Sequence, residues 1–135
     1  MPYLGSKAGA ASEAIPGQRL AILAESLYLI NLLLLPGLAF LVLVALYFRT
    51  IAQAPSLAAC HLRQTLSASL WAGGILVVVN GFIILLGGYT AGTTWVVVIL
   101  YFVCCHSALV LVGALGLARA MAGQPYRYPV VGRPC

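Results

Sequence analysis

Charged residues are scarce in this chain. Only 7% of its 135 residues are Asp, Glu, Lys or Arg, whereas an ordinary soluble domain carries about 25%. Hydrophobic residues make up 63% of the chain, and its mean hydropathy is +1.07. A soluble domain of this length buries only about 60–70% of the surface that its unfolded chain exposes, too little to hide so much apolar surface. The composition therefore predicts an all-α integral membrane protein whose solvent and partner is the lipid bilayer.

Sequence motifs for catalysis are also lacking. There is no HExxH, GxSxG or P-loop pattern, and the only two carboxylate side chains, Glu13 and Glu25, do not make an acid–base pair. We therefore predict that the protein is not an enzyme. The seven basic residues are dispersed at the ends of apolar runs, without the clustering and interleaved aromatics of a nucleic-acid site. No nucleic-acid partner is expected.

Cysteine and histidine spacing gives no metal-site pattern. The four cysteines form no CxxC pair and no zinc-ligand spacing: Cys60, Cys104, Cys105 and Cys135. Cys104 and Cys105 lie inside an apolar run, where a thiol behaves as a small hydrophobe, so we predict no disulfide framework, no metal and no cofactor. His61 and His106 lie about 25 Å apart in depth at ~1.5 Å per residue, too far to share a metal at ligand distances of ~2 Å. A haem held by His106 from two protomers is the alternative that the geometry permits.

Three long apolar runs follow one another along the chain. They cover residues 20–48, 66–86 and 95–117. Each is long enough to cross ~30 Å of hydrocarbon, which takes about 20 residues. We therefore predict a three-helix transmembrane domain over residues 20–118, between an N-terminal polar segment, 1–19, and a C-terminal polar tail, 119–135. Because Pro36 and Gly37 interrupt the first run, a kink is expected there, and a broken or re-entrant first segment is the alternative.

The connections between the runs predict a topology. Pro55 and Ser56 have the character of a helix start, so the second helix is expected to begin near Ser56. Residues 87–94 are uncharged and glycine-rich, as in a tight turn between antiparallel helices. With three spans, Lys7 and Arg19 lie on one side of the membrane. The other side holds five basic residues: Arg49, Arg63, Arg119, Arg127 and Arg133. The positive-inside rule then places the N-terminus outside and the C-terminus inside.

Small residues recur at helix-packing spacing on the second and third helices. They are the pairs Ala68 and Ala72, Ser69 and Gly73, and the looser stripe of Gly113, Gly116 and Ala120. Small side chains let helix backbones approach closely inside a membrane. We predict that they pack the protein's own helices together, and a docking face for a partner subunit is the alternative.

Four polar side chains lie within the predicted spans, where they are costly and mark structural or functional contacts. They are Glu25, Asn31, Asn80 and His106. At ~1.5 Å per residue, Glu25 lies at the level of Asn80, and Asn31 at the level of His106. We predict interhelical hydrogen bonds at these two levels, each worth ~0.6–2 kcal/mol. A proton relay, a ligand pocket or a contact with a partner subunit are the alternatives.

The most patterned polar stretch lies in the tail. It consists of Tyr126, Arg127 and Tyr128, between two prolines. Amphipathic aromatics beside arginine are typical of an anchor at the level of the lipid headgroups. The alternative is a contact surface for a neighbouring protein.

The ending ARAMAGQPYRYP, residues 118–129, directly after an apolar helix, resembles the C-terminal signature of a group of small bacterial multi-pass membrane proteins. That group is of unknown function and distantly similar to the chloroplast inner-envelope import channel, the Tic channel family. The stretch CHLRQT, residues 60–65, is similar to the central region of those proteins. The resemblance implies a bacterial inner (cytoplasmic) membrane location and no established activity. The pattern often includes a fourth span, which makes a four-span fold a further alternative.

Little of the chain lies outside the apolar runs, and small-residue faces exceed what three helices need for packing. We therefore predict a non-catalytic inner-membrane protein that acts as an accessory or assembly subunit of a larger membrane complex, or that self-associates. A transporter or channel component is the first alternative, and it would require an oligomer because three helices enclose no pore. A metal- or haem-binding redox subunit is the second.

Overall fold

Every regular element between residues 15 and 135, the part of the protein that the computed structural model describes, is a helix. The helices are α1 (Gln18–Leu33), α2 (Leu38–Thr50), α3 (Ser56–Gly87) and α4 (Gly92–Met121). The prediction of an all-α protein is confirmed. Lys7, Glu13 and the rest of the predicted polar segment up to residue 14 lie outside the described residues.

Among these helices, α3 and α4 are long and apolar enough to cross a membrane. They contain 32 and 30 residues, or roughly 48 and 45 Å at the α-helical rise. The 16 residues of α1 and the 13 of α2 reach only roughly 24 and 20 Å, less than the ~30 Å of a hydrocarbon core. The second of the three predicted helices corresponds to α3, which begins at Ser56 as predicted. The prediction of three spans is not confirmed, because the run 20–48 is divided into two short helices.

The chain reverses direction between α1 and α2. Ala24 of α1 and Leu43 of α2 belong to one buried cluster with Leu62 of α3, which a single helix with a modest kink would not bring together. Pro36 cannot continue the helix, and Gly37 adopts a left-handed φ of 86° that side chains disfavour. The predicted kink is therefore a sharp turn, and α1 and α2 form a helical hairpin.

Helix α3 changes its surroundings halfway along its length. A π-helical turn at Gly74–Val78 separates its first part, Ser56–Gly73, from its last part, Val79–Gly87. The first part packs against both helices of the hairpin, whereas the last part packs only against α4. The structure therefore consists of a four-helix body from which the tips of α3 and α4 project as a helix pair.

Both ends of the described chain lie at the same end of this body. The Gln18 side chain at the start of α1 donates a hydrogen bond to the Met121 carbonyl at the end of α4, at 2.7 Å. Six arginines gather here, and we call this the charged end: Arg19, Arg49, Arg63, Arg119, Arg127 and Arg133. The opposite, uncharged end is the turn 88–91 between α3 and α4. This differs from the predicted topology with chain ends on opposite sides, because the hairpin adds a reversal that three spans lack.

The C-terminal tail folds back along the first part of α3 rather than extending away. The Ser67 hydroxyl donates to the Val131 carbonyl at 2.9 Å, and Cys60 forms a disulfide with Cys135 across 75 positions. The prediction that the cysteines form no disulfide is wrong at this pair. Sequence spacing gave no sign of it because the pairing depends on how the tail returns to α3.

Candidate functional site

The Glu25 carboxylate is fully enclosed where α1, α3 and the tail meet. One carboxylate oxygen lies 2.6 Å from His61 Nδ1, and the other accepts a hydrogen bond from the Tyr128 hydroxyl at 2.5 Å. His61 is also fully buried. Both carboxylate oxygens are therefore paired, as the burial of a carboxylate requires.

The second ring nitrogen of His61 fixes how protons are distributed in this cluster. His61 Nε2 lies 3.0 Å from the Gln124 carbonyl oxygen. A carbonyl only accepts hydrogen bonds, so Nε2 carries a proton and donates it. The contact between His61 and Glu25 then holds one shared proton, and the pair has zero net charge whichever atom bears it. A neutral pair is the form in which a carboxylate is least costly in an apolar interior.

Tyr128 connects the tail to the helices through the same cluster. Its side chain is only 2% exposed, and its ring packs edge-on against Tyr28 of α1 with ring centroids 5.5 Å apart. Burial and the negative charge of Glu25 raise the pKa of Tyr128 well above its usual range. The phenol therefore keeps its proton and remains a hydrogen-bond donor to the carboxylate.

Gln64 secures the tail one turn further along α3. Its side-chain oxygen lies 3.4 Å from the backbone nitrogen of Tyr128, which donates to it. Its side-chain amide donates to the Arg133 carbonyl. Since both polar atoms of a fully buried amide are satisfied by the tail backbone, Gln64 holds the tail in one register. His61, Gln64 and Tyr128 together define what we call the tail latch, with Glu25 at its centre.

Glycines on α4 give the latch its space. A methyl group at Gly116 would lie 2.6 Å from a Glu25 carboxylate oxygen, and one at Gly113 would lie 2.5 Å from the Tyr28 ring. On α3, Ala68 and Ala72 are buried. Gly73, by contrast, faces open space. Of the predicted small-residue positions, Gly113 and Gly116 thus lie where α1 and α4 approach closely. Gly73 lies beside a void.

Neither of the two predicted polar pairs forms. Glu25 contacts His61 and Tyr128 rather than Asn80, and the Asn80 amide donates to Leu76 within its own helix at 2.7 Å. The predicted pairs assumed that α1 enters the membrane from the side opposite the start of α3. Because the hairpin reverses the chain, α1 and α3 start at the same end, and Glu25 lies at the level of His61.

Asn31 and His106 also lie apart from the latch. The Asn31 side-chain oxygen accepts a hydrogen bond from the backbone nitrogen of Gly37 at 2.9 Å, which stabilises the hairpin turn. The His106 ring stacks on Phe102 one turn away, with centroids 5.2 Å apart and planes 11° from parallel. Its Nδ1 is buried without a hydrogen-bond partner.

The tail aromatics do not project outward together. Tyr128 is buried in the latch, and Tyr126 packs edge-on against it with centroids 5.1 Å apart. Arg127 is exposed between them and donates to the Gly132 carbonyl at 3.3 Å. The predicted headgroup anchor is thus replaced by an inward contact for Tyr128, while Arg127 faces outward.

A cavity of about 480 Å³ lies beside the turn of the α1–α2 hairpin. Apolar and small residues dominate its lining, which also contains three polar side chains. Its lining includes Asn31, Phe40, Ser69, Gly74, Phe102 and His106. Ser69 Oγ and His106 Nδ1 are both buried there without hydrogen-bond partners. The cavity therefore combines an apolar body with unused hydrogen-bonding atoms, as small-molecule sites do.

The described residues contain no group of three or more His, Cys, Asp or Glu side chains that could hold a metal ion. Comparison with protein-family models, with curated proteins and with solved structures finds no match to this chain. The functional interpretation of the latch and the cavity therefore depends on their geometry alone.

Of the latch residues, only Glu25 and Tyr128 are among the site residues predicted from the sequence. His61 drew attention only as a metal ligand, and Gln64 not at all. One signal was available: both lie on α3 within CHLRQT, residues 60–65, where buried polar side chains three positions apart share one helix face.

Proposed function

We propose that this chain is an integral membrane protein in which α3 and α4 cross the bilayer and the α1–α2 hairpin enters it from one side without crossing. The lengths of the four helices support this arrangement. So does the dense exposure of large apolar side chains on the outer faces, such as Phe48, Leu86 and Leu100, which are 74%, 87% and 60% exposed. A re-entrant segment is tolerated in a membrane where other helices cover it, as the first part of α3 covers this hairpin.

The charged end faces the cytoplasm in this proposal. Six arginines lie at that end, and the turn 88–91 at the other end has no charge, which is the asymmetry that the positive-inside rule describes. The predicted arrangement divided the basic residues five to two between the sides. Both ends of the described chain are therefore proposed to be cytoplasmic.

The Cys60–Cys135 disulfide favours the opposite orientation, because disulfides persist mainly in oxidising compartments. The proposed orientation follows the charge distribution. Gln64, Ser67 and Tyr128 hydrogen-bond the tail to the body whether or not the two sulfurs are bonded. In a reducing cytoplasm, the Cys60 thiol of α3 and the Cys135 thiol of the tail are then neighbours, and the tail stays docked.

Within the membrane, we propose that the protein is a non-catalytic accessory or assembly subunit that packs against a partner membrane protein. The observation that carries this proposal is the projecting helix pair, in which the last part of α3 packs against α4 and against neither helix of the hairpin. Phe82 and Leu85 on this part of α3 are 58% and 78% exposed. The latch supports the non-catalytic role, because its carboxylate and imidazole are fully enclosed and paired.

Site-specific photocrosslinking in native membranes tests the partner. A photoreactive phenylalanine analogue replaces Phe82 on the projecting pair in one variant and Phe48 on α2 in a matched control. We expect Phe82 to crosslink to one defined protein that also co-purifies in mild detergent, in a complex of fixed native mass. Crosslinks to lipid alone from both positions, together with the native mass of a single chain, would overturn the proposal.

A further inference from the structure

The cavity beside the hairpin turn contains a hydroxyl with no bonding partner. Ser69 is 4% exposed, and its Oγ makes no hydrogen bond. A serine or threonine hydroxyl inside a helix ordinarily bonds to a carbonyl three or four residues earlier. Thr65 does so with His61, at 2.9 Å, and Thr50 with Leu46, at 2.7 Å. Ser69 therefore departs from its neighbours in leaving a buried hydroxyl free at the cavity wall.

A second unused atom lines the same cavity. His106 Nδ1 on α4 is buried without a partner, and the ring is held in place by stacking on Phe102. Leaving a polar atom unpaired in an apolar interior is unfavourable, because the atom loses its hydrogen bonds to water. Two such atoms, on different helices, line the same cavity. A bound polar group would provide hydrogen-bond partners for both.

The lining also provides room for an apolar body. Methyl groups added at Gly73 or Gly74 would meet nothing within 4 Å, and Phe40 and Phe102 supply aromatic walls. The π-helical turn begins at Gly74, and such turns occur frequently at functional sites. A volume of about 480 Å³ is within the usual range for small-ligand sites, ~300–1,000 Å³.

We propose that this cavity binds one lipid-soluble alcohol, with its apolar chain between Phe40 and Phe102 and its hydroxyl between Ser69 and His106. A hydroxyl both donates and accepts hydrogen bonds, so it can accept from the serine hydroxyl and still pair with His106 Nδ1 in either tautomer. A carbonyl oxygen could only accept. The acyl chains of bulk lipid carry no such group at the middle of the bilayer. The inference rests on the membrane embedding proposed above but not on the partner protein.

Photolabelling of the protein in lipid nanodiscs with two matched probes tests the site. One probe is a diazirine-bearing hexadecanol, and the other is the corresponding diazirine-bearing hexadecane without the hydroxyl. We expect the alcohol to label residues of the cavity lining, identified by mass spectrometry, at least about fivefold more than the alkane. Ser69→Ala and His106→Phe should each remove most of this difference, because one lost hydrogen bond lowers occupancy about fivefold.

Two further variants separate a lost site from a lost fold. Ser67→Ala, two residues away and bonded to the tail rather than the cavity, should leave the labelling unchanged. Gly73→Leu should fill the cavity and abolish labelling by both probes, while the protein keeps the thermal stability and chromatographic behaviour of the parent.

Three results would overturn the alcohol site. They are equal labelling by the two probes, equal labelling of Ser69→Ala and the parent, and rapid reaction of a Ser69→Cys variant with a water-soluble maleimide, which would make the cavity a water-filled path. Extraction of the protein from membranes by alkaline carbonate would instead contradict the membrane embedding. The two failures are thus distinguishable.

Discussion

At the scale of single residues, Glu25 explains why a carboxylate is tolerated inside so apolar a protein. Its two oxygens are paired with His61 and Tyr128, and the shared proton keeps the Glu25–His61 pair neutral. Removal of one member leaves the others buried and unpaired, which costs more than the cluster contributes when intact.

We expect Glu25→Ala to lower the free energy of unfolding by about 3–5 kcal/mol, the usual cost of breaking a buried charged pair. Thermal unfolding in detergent measures this. The double variant Glu25→Leu/His61→Leu replaces the pair by apolar side chains and should recover part of the loss. Thr50→Ala, which removes a hydrogen bond within α2 alone, is the control and should have a small effect. A double variant less stable than Glu25→Ala would contradict this account.

Gly116 should be far less tolerant of a side chain than other helical glycines. A methyl group there meets the Glu25 carboxylate at 2.6 Å, whereas a methyl at Gly81 in α3 meets nothing within 4 Å. We expect Gly116→Ala to destabilise by about 1–3 kcal/mol through overpacking. Gly81→Ala should stabilise by up to about 1 kcal/mol, because alanine favours a helix over glycine. Equal melting temperatures for the two variants would contradict the close approach of α1 and α4.

At the scale of elements, the tail depends on the protonation of Tyr128. Its pKa is raised in the docked state, so the docked tail is stabilised below the ordinary tyrosine pKa of about 10 and loses that stability as pH rises further. Absorbance at 295 nm during alkaline titration measures phenolate formation. Tyr128→Phe should remove one component that titrates above the ordinary tyrosine range. Tyr89→Phe, at an exposed position, is the matched control and should leave that component in place.

The sequence predicts the elements better than their pairing. The start of α3, the existence of α4 and the break at Pro36–Gly37 follow from a helix-start signal, an apolar run and the chemistry of proline. The direction of α2 does not, because a kink and a full reversal have the same local signature. Partners chosen by depth depend on that direction. Because the sequence does not determine the direction of α2, the predicted level of Glu25 along α3 was wrong. The prediction that Glu25 lies inside the helical domain was correct.

At the scale of the whole molecule, the hairpin determines the number of membrane crossings in the proposed arrangement. Single cysteines at Ile15, Gln53 and Thr90, in a background with the native cysteines changed to serine, report on the sides. In spheroplasts, we expect a membrane-impermeant maleimide to label Thr90→Cys alone, because the other two lie at the charged end. Labelling of both Ile15→Cys and Thr90→Cys, with Gln53→Cys protected, would instead support three spans.

The latch also has a consequence for biosynthesis. Tyr128 lies 103 positions after Glu25, and His61 lies 36 positions after it. At translation rates of about 5–20 residues per second, Glu25 waits roughly 2–7 s for His61 and roughly 5–20 s for Tyr128. Until then its carboxylate has no complete set of partners, so the hairpin cannot settle fully within the body. Completion of the latch is thus timed by the emergence of Tyr128 from the ribosome.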